Sequence, residues 1–273
     1  MARLEWHLLE VGHCLHPECG AVRGGRWKLC EFPSLVALLK HPSRGWLLFD
    51  TGYSQRFFDA TAGLPERLYR WVTPVRFDPR HALVAQLRGR GIEPSDIGAI
   101  ILSHFHADHV SGVLDFPGVP VYCSLEGWKA LHSRGRLAAL RIGLLAELAP
   151  SAVSGRMRFF EDQCGPRANS ATGELREYDL FGDGSIGVVE LPGHSPGHFG
   201  LRFTAEDDRD VMLIGDAAWS TRAVRENNPP PIWSTAWLGS TRVYRQTLGR
   251  LHSLTRVMPE MAVVPSHCAE WRP

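Results

Sequence analysis

The sequence has no long apolar run. Nowhere do about 18 consecutive residues stay apolar and uncharged, which is the minimum length for a membrane-spanning helix. Segment 1–10 contains Arg3, Glu5 and Glu10, so it lacks the continuous apolar centre of a secretory signal. We therefore expect a cytoplasmic protein that neither spans nor binds a membrane.

An excess of charge of either sign is also missing. The chain has 30 lysines and arginines against 29 aspartates and glutamates, which gives a formal net charge of +1. A chain this close to neutral has no overall field that would collect a polyanion. The composition therefore favours a small-molecule substrate over nucleic acid.

Cysteine is sparse, and its spacing is not that of a structural site. The six cysteines include no CxxC pair. Because so few cysteines do not build a disulfide scaffold in a chain of 273 residues, we expect free thiols. Segment 13–19 combines His13, Cys14, His16 and Cys19; a loop with buried thiols is the favoured interpretation, and a metal site is the less favoured one.

Short β-like runs alternate with helical patterns along both halves of the chain. Strands are predicted at 6–11, 34–39, 46–49, 97–102, 119–124, 156–161, 186–191, 198–204, 211–214 and 261–264. Helices are predicted at 79–89, 125–148 and 240–254, with short helices in a surface excursion at 54–79. This order implies two sheets with helices on the outside.

The densest group of metal-binding side chains follows a predicted buried strand. Segment 104–109 reads His-Phe-His-Ala-Asp-His. In an extended turn His104 and His106 project to the same side, whereas Asp108 and His109 fall on the next bend and can face a second ion. Such side chains are costly to bury unless a metal or tight hydrogen bonds compensate them. The spacing predicts two metal ions, with zinc favoured by imidazole and carboxylate ligands and manganese or iron as alternatives.

Four further motifs accompany this segment. In chain order the five elements are Asp50-Thr51-Gly52, 104–109 followed by Ser111-Gly112, the turn from Leu191 to His198, Gly215-Asp216, and Ser266-His267. Their order resembles that of the metallo-β-lactamase superfamily over nearly the whole chain. The resemblance implies an α/β fold, an αββα sandwich of two mixed β-sheets flanked by helices. We expect a single domain over 1–273, with cap insertions at 53–80 and 125–150.

The resemblance also implies the ligands of two divalent metal ions. They are His104, His106 and His194 for the first metal, Asp108, His109 and His267 for the second, and Asp216 between the two. A hydroxide held by both ions would attack the substrate. Asp108 is also expected to act as the catalytic residue that passes a proton to the leaving group.

Two further side chains are expected to support the metals without binding them. Asp50 lies in an acidic turn after a strand and is expected to orient a ligand imidazole. His198 lies four residues after His194. It is not expected to bind a metal, because the seven ligands already complete a two-metal set.

Within the superfamily the sequence is similar to N-acyl-homoserine lactone lactonases. They share the phrase Pro-Gly-His-Ser-Pro-Gly-His of 192–198 and Gly-Asp-Ala of 215–217. Those lactonases have a tyrosine three positions after the bridging aspartate, where this chain has Trp219. Because an indole is bulkier and places its donor differently, we expect a reshaped substrate pocket. Together with Trp233 and Trp237, Trp219 suggests an aromatic wall suited to an acyl or aryl substrate.

These features favour a metal-dependent hydrolase that opens a lactone or related ester, such as an N-acyl-homoserine lactone. A thioesterase or phosphodiesterase on the same centre is an alternative. So are a di-iron enzyme that uses oxygen and a sensor that binds a small molecule without turnover. The analogy with lactonases also suggests a homodimer.

Overall fold

The computed structural model describes residues 2–166 and 173–273. Strands of the first half form a mixed sheet in the order β7-β6-β5-β3-β2-β1, with β4 also paired to β1. These strands are β1 (Arg3–Pro17), β2 (Leu29–His41), β3 (Gly45–Phe49), β4 (Val75–Arg76), β5 (Ile97–Ile101), β6 (Val121–Cys123) and β7 (Met157–Phe159). β1, β2 and β3 pair antiparallel, whereas β3, β5, β6 and β7 run parallel.

Strands of the second half form a second mixed sheet in the order β8 to β13. They are β8 (Gly165–Pro166), β9 (Glu177–Asp179), β10 (Ile186–Glu190), β11 (Phe199–Ala205), β12 (Asp210–Gly215) and β13 (Ala262–Pro265). Only β12 and β13 pair in parallel here. The start of β1 pairs parallel with the end of β11, at Arg3 and Leu4, and so joins the two sheets.

Helices lie along both sheets and in the connections. The α-helices of the described residues are α1 (Glu18–Ala21), α2 (Gln55–Ala60), α3 (Arg67–Val72), α4 (Leu83–Arg88), α5 (Ala107–Val110), α6 (Leu125–Ser133), α7 (Arg136–Arg141), α8 (Phe160–Gln163), α9 (Thr221–Arg225), α10 (Ile232–Thr235) and α11 (Thr241–Val257). Short 3₁₀ turns occupy Pro79–His81, Pro94–Asp96, Val113–Asp115, Ala146–Leu148, Ser151–Arg156 and Ala269–Trp271.

Alternation along the strands explains the layering. Val36 and Leu38 of β2 pack in the core on the helix side of the first sheet, whereas Ala37 and Leu39 pack between the two sheets. Successive side chains of a strand point to opposite faces, so a strand buried on both faces serves two cores. A third core lies between the second sheet and the apolar face of α11. The predicted arrangement of two mixed sheets flanked by helices is confirmed.

The continuous helix predicted over 125–148 is wrong. The structure has α6, α7 and the 3₁₀ turn Ala146–Leu148 instead. Gly135 has extended backbone between the helices, and Gly143 has a φ of +77°. The second break matters for the site, because Leu144 beyond it pairs with the backbone of His106.

Other element bounds also differ from the prediction: the strands predicted at 6–11 and 34–39 extend over Arg3–Pro17 and Leu29–His41. The helix predicted at 79–89 is shorter, because Ala82 is extended between a 3₁₀ turn and α4. The strand predicted at 156–161 ends at Phe159, where α8 begins. Neither 79–89 nor 156–161 contributes a residue to the two ligand groups described below.

Candidate metal centre

The seven predicted ligands meet at the edge where strands of both sheets end. His104 and His106 lie between β5 and α5, α5 carries Asp108 and His109, and His194, Asp216 and His267 come from loops after β10, β12 and β13. Two compact groups form, within each of which the donor atoms lie within 4.8 Å of one another: His104, His106, His194 and Asp216; and Asp108, His109, Asp216 and His267. All seven side chains are buried, and Asp216 belongs to both groups.

The first group is a cluster of imidazoles closed by one carboxylate. Nδ1 of His106 lies 3.0 Å from Nε2 of His104 and 2.9 Å from Nε2 of His194. Nε2 of His194 lies 3.1 Å from Oδ2 of Asp216. Two ligands of one tetrahedral zinc ion lie about 3.3 Å apart, given a Zn–N distance of about 2.0 Å. The spacing of this group therefore suits one small cation.

The second group combines two carboxylates with two imidazoles. Nε2 of His267 lies 3.1 Å from Oδ2 of Asp108 and 3.1 Å from Oδ2 of Asp216. Nε2 of His109 lies 3.3 Å from Oδ1 of Asp216 and 3.5 Å from Oδ2 of Asp108. Each of these nitrogens therefore faces both carboxylates, as expected around a second cation.

Hydrogen bonds on the outer side of the rings fix which nitrogen faces inward. His109 donates from Nδ1 to Asp50 at 2.7 Å, and His267 donates from Nδ1 to the Pro33 carbonyl at 2.7 Å. His106 donates from Nε2 to the Ile142 carbonyl at 2.9 Å. A neutral imidazole that donates from one nitrogen presents a lone pair at the other, so the inner nitrogens are acceptors.

These facing lone pairs show that the residues fit two metal ions. Nε2 of His109 and Oδ1 of Asp216 are both buried without a hydrogen-bond partner, although they lie 3.3 Å apart. Two buried acceptors in such contact repel unless a cation lies between them. Imidazole and carboxylate ligands without thiolate suit zinc, manganese or iron. The structure thus holds two buried His/Asp groups consistent with a dinuclear metal centre.

Charge differs between the two groups. Burial lowers the pKa of His106 to about 3 and that of His104 well below its usual value, so these two imidazoles of the first group are neutral. Burial would also lower the pKa of His267, but the carboxylates of Asp216 and Asp108 outweigh it and raise that pKa to about 10. Positive charge is therefore attracted most strongly to the second group, where a proton on Nε2 of His267 competes with a metal ion for the lone pair of that nitrogen.

Asp50 lies beneath the ligands and accepts hydrogen bonds from residues that carry them. Its backbone has a φ of +64°, a conformation that non-glycine residues rarely adopt. Its Oδ1 accepts from the Ser103 backbone N–H at 2.8 Å. Its Oδ2 accepts from the Ser103 hydroxyl at 2.8 Å as well as from His109. Ser103 Oγ in turn lies 2.9 Å from Nδ1 of His104. The Asp50 carboxylate therefore contacts His109 directly and His104 through Ser103.

His198 lies behind Asp216 and belongs to neither ligand group. Its Nε2 accepts from the Asp216 backbone N–H at 3.0 Å. A Cβ at Gly215, where φ is +52°, would lie 2.8 Å from that nitrogen. Glycine at 215 therefore lets His198 reach the backbone that carries Asp216. A supporting role for His198 stays a prediction consistent with this placement.

Trp219 borders the site, whereas the other two tryptophans of the predicted aromatic wall do not. The Trp219 indole N–H donates to Oδ2 of Asp216 at 3.3 Å, and its ring is perpendicular to that of His194. Trp233 is 55% exposed and lies near Gly20. Trp237 is 56% exposed beneath the Arg141 guanidinium. Neither of these contacts a ligand residue in the described part of the chain.

Several residues of the site carried no recognisable sequence signal. Pro33 and Ile142 contribute only carbonyl oxygens, which any residue has. Ser103 could have been found from its position between the strand and His104. Tyr69 of α3 lies near Gly143, but it comes from a segment without a motif.

The cysteine and histidine segment 13–19 supplies no ligand to either group. His13, Cys14 and His16 lie within β1, not in the expected loop, and of the cysteines in this segment only Cys14 is buried. The six cysteines are free, as predicted.

Comparison with known proteins identifies the family. The model of the metallo-beta-lactamase superfamily matches residues 31–267. The chain therefore belongs to the metallo-beta-lactamase superfamily, and its sandwich is that superfamily's α/β fold.

More particular relatives are N-acyl homoserine lactonases at low identity. AttM of Azorhizobium caulinodans is 26% identical over 191 residues, which are 70% of this chain and 66% of the relative, just under two thirds of its length. A gamma-lactamase of Fusarium pseudograminearum is 32% identical over 134 residues, which are 48% of this chain and 31% of the relative.

Solved structures of lactonases share the fold. An N-acyl homoserine lactone hydrolase with N-hexanoyl-L-homoserine at its catalytic metal centre aligns with a TM-score of 0.74 and 21% identity, over 99% of this chain and 95% of its own. The dizinc quorum-quenching lactonase AidC aligns with a TM-score of 0.65 and 16% identity, over 98% of this chain and 88% of its own.

In the described residues, no helix combines the length and apolarity needed to cross a bilayer.

Proposed function

We propose that this protein hydrolyses a lactone or related carboxylic ester, and that N-acyl-homoserine lactones are among its substrates. The observation that carries the proposal is the pair of buried ligand groups that share Asp216. The lactonase relatives, similar in both sequence and fold, support the choice of a lactone.

The seven ligands are proposed to hold two divalent ions, with zinc as the preferred metal. When bound, two such ions lower the pKa of a shared water and polarise the substrate carbonyl. Asp108 is proposed to take the proton of the attacking water and deliver it to the alkoxide leaving group. Its carboxylate contacts His267, so it is held in place for that transfer.

Trp219 is proposed to line the substrate pocket. Its ring is half-buried, and its N–H is engaged by the carboxylate that both ligand groups share. An indole held in this way presents an apolar face to the acyl or lactone part of a substrate.

Segments 53–80 and 125–150 are proposed to form a cap within a single domain. They contact each other through Glu66 and Arg136, whose guanidinium binds both carboxylate oxygens. A cavity of about 240 Å³ lies between them, and its lining includes Leu131, Leu144 and Leu145. None of the seven ligands lines this cavity, and its lining combines these leucines with the charged side chains of Glu66 and Arg136.

The test combines elemental analysis with hydrolysis assays. Protein purified without added metal is measured for metal content and for turnover of lactones, aryl esters, thioesters and phosphodiesters. Asp108→Asn is compared with Asp207→Asn, the same change on the exposed turn after β11. We expect two metals per chain and lactone turnover that Asp108→Asn abolishes and Asp207→Asn preserves.

Other outcomes would redirect the assignment. Wild-type protein with two metals but without lactone or ester turnover would refute the proposed substrate class. Turnover of only thioesters or phosphodiesters would favour those alternatives, and iron with oxygen uptake would favour the redox alternative. Wild-type protein that binds no metal would refute the centre itself.

A further inference from the structure

The proposed cap exposes large apolar side chains on one side of α3. Leu68, Trp71 and Val72 are all exposed, and their spacing of three and four positions places them next to one another on the helix. The ring of Tyr69 packs inward instead, against that of Phe57 at 5.6 Å between centroids. The apolar side of α3 therefore faces solvent, where a helix of a globular protein is usually polar.

Neighbouring elements extend this apolar surface. The Leu64 carbonyl accepts from Nη2 of Arg136 at 3.3 Å, which brings the chain before α3 close to α7 and its exposed Leu137. One turn after Leu137, the Arg141 guanidinium lies 5.0 Å from the centre of the Trp237 ring. We call the six exposed side chains of this surface the cap patch: Leu64, Leu68, Trp71, Val72, Leu137 and Trp237.

Positive charge accompanies the cap patch. Segments 53–80 and 125–150 contain nine lysines and arginines against five aspartates and glutamates, whereas the rest of the chain has 21 against 24. The cap therefore has a formal charge of +4 and the remainder a charge of −3. In the described part of the chain, Arg67, Arg70 and Arg141 form no ion pair. The near-neutral charge of the whole chain, from which we expected no membrane partner, does not show this separation.

This combination suits a lipid surface. Exposed tryptophan and aliphatic side chains enter the boundary between headgroups and acyl chains, and arginines beside them attract anionic headgroups. A symmetric contact with a second copy would bring the same unpaired arginines together, which like-charge repulsion opposes. We propose that the cap patch docks this protein on the surface of membranes that contain anionic phospholipids.

Docking through the cap patch would also hold the metal centre close to the lipid. Arg141 precedes Ile142, whose carbonyl accepts from His106, and Trp237 lies two residues before Gly239, which packs against the backbone of His194. Acyl substrates that partition into the bilayer would then be concentrated beside the centre. That consequence rests on the proposed function, whereas the docking itself does not.

Co-sedimentation with vesicles tests the docking. Wild-type protein is mixed with vesicles of phosphatidylglycerol or of phosphatidylcholine, each at low and at high salt. We expect binding to phosphatidylglycerol at low salt, weaker binding at high salt because salt screens the arginines, and weaker binding to phosphatidylcholine. No binding to phosphatidylglycerol, or equal binding to the two lipids, would overturn the proposal.

Matched variants locate the docking surface. Val72 and Val257 each end an α-helix and are 73% and 78% exposed, but only Val72 belongs to the cap patch. We expect Val72→Ser to weaken binding to phosphatidylglycerol roughly 3- to 10-fold, since a valine inserted in lipid is partly buried. Arg67→Gln should weaken it about fivefold. Val257→Ser and Arg256→Gln should bind as wild type, and equal binding by all four variants would overturn the proposal.

Sedimentation velocity and thermal melts separate docking from self-association and from misfolding. The four replaced side chains are exposed, so the thermal midpoint should stay as in wild type. If a variant does unfold, the dependence of wild-type binding on lipid and salt still decides. A wild-type dimer that Val72→Ser dissociates would show a subunit interface and overturn the proposal. The proposed function is judged apart from this, by turnover of esters and lactones without vesicles.

Discussion

At the scale of single residues, Asp50 shows how much of the site depends on groups that bind no metal. Its left-handed backbone directs one carboxylate at Ser103 and His109 together. Residues in such conformations persist only when their surroundings hold them, and they are frequent at functional sites. Here the Asp50 N–H is held by the Ile101 carbonyl at 2.9 Å.

Asp50→Asn is therefore expected to weaken metal binding more than folding. An amide has a single acceptor oxygen, so it cannot accept all three hydrogen bonds that the carboxylate takes from the Ser103 backbone, the Ser103 hydroxyl and His109. Loss of such an orienting partner lowers metal affinity roughly 10- to 100-fold. Competition with a chelator measures the effect, with Asp207→Asn as the control. Equal affinity in wild type and Asp50→Asn would contradict the orienting role.

Local spacing predicted four of the seven residues that meet at the site, whereas His194, Asp216 and His267 were implied by the resemblance of their motifs to those of the superfamily. Segment 104–109 places four ligands at the end of one strand, with His104 and His106 before α5 and Asp108 and His109 on it. The acceptors at Pro33 and Ile142 could not be predicted, since only the tertiary fold brings these carbonyls to an imidazole. Metal roles for the individual residues stay predictions until tested.

At the scale of elements, the break between α7 and the following 3₁₀ turn is a requirement of the site. The residues of this segment, rich in Leu, Ala and Arg, have high helix propensity, so the sequence predicted a continuous helix. Propensity does not report tertiary contacts, so it could not predict that Leu144 pairs with His106. The glycine at 143 allows both the turn and the approach of His106.

Gly143→Ala should reduce metal affinity beyond its effect on the backbone. Gly118→Ala is a matched control, because Gly118 has a φ of +79° and no atom within 4 Å of where its Cβ would lie, whereas Gly143 has a φ of +77° and His106 at 3.0 Å. Both changes cost about 1 to 2 kcal/mol of backbone strain. Calorimetric titration with zinc should show weaker binding only for Gly143→Ala. Equal zinc affinity in the two variants would show that His106 tolerates the methyl group.

The two cap segments are joined by an ion pair whose contribution depends on pH. The hydrogen bonds from Arg136 are the main cause of the lowered pKa of Glu66, relative to an ordinary value of 4.5. A carboxyl whose pKa is lowered in the folded state stabilises the protein at pH values above the ordinary pKa of that carboxyl. The stabilisation is lost as the pH falls through the lowered pKa.

Glu66→Gln should therefore lower the thermal midpoint at neutral pH but not in acid. The difference from wild type is expected to be full above about pH 4.5, the usual value for glutamate, and to vanish at lower pH. Thermal melts over this range measure it, with Glu206→Gln on an exposed turn as the control. A difference that persists in acid would show that Glu66 acts through packing alone.

At the scale of the whole molecule, the metal centre connects the two sheets. The first half contributes His104, His106, Asp108 and His109, and the second half contributes His194, Asp216 and His267. The two-sheet layering could be predicted from alternating strands and helices. The pairing of β1 with both sheets could not, because nothing in a 15-residue strand shows where its partners change.

Removal of metal should destabilise the whole protein. A ligand at about 100 times its Kd stabilises the folded state by about 2.7 kcal/mol, which for a chain of this size is roughly 5 to 10 °C. Calorimetry before and after chelation, and again after zinc is restored, measures this shift. His106→Ala should show a smaller shift of the thermal midpoint on chelation. A wild-type midpoint that chelation leaves unchanged would contradict a centre that connects the sheets.

The expected homodimer stays a prediction for sedimentation analysis.

The division of ligands between the halves also has a consequence during synthesis. His106 and His194 are 88 positions apart, so a ribosome releases the first ligands long before their partners. A nascent chain that has completed only the first sheet presents an unfinished cluster, which holds an ion weakly. If these residues bind metal as proposed, stable metal capture must await the second sheet, and a bound metal would mark a chain whose two halves have docked.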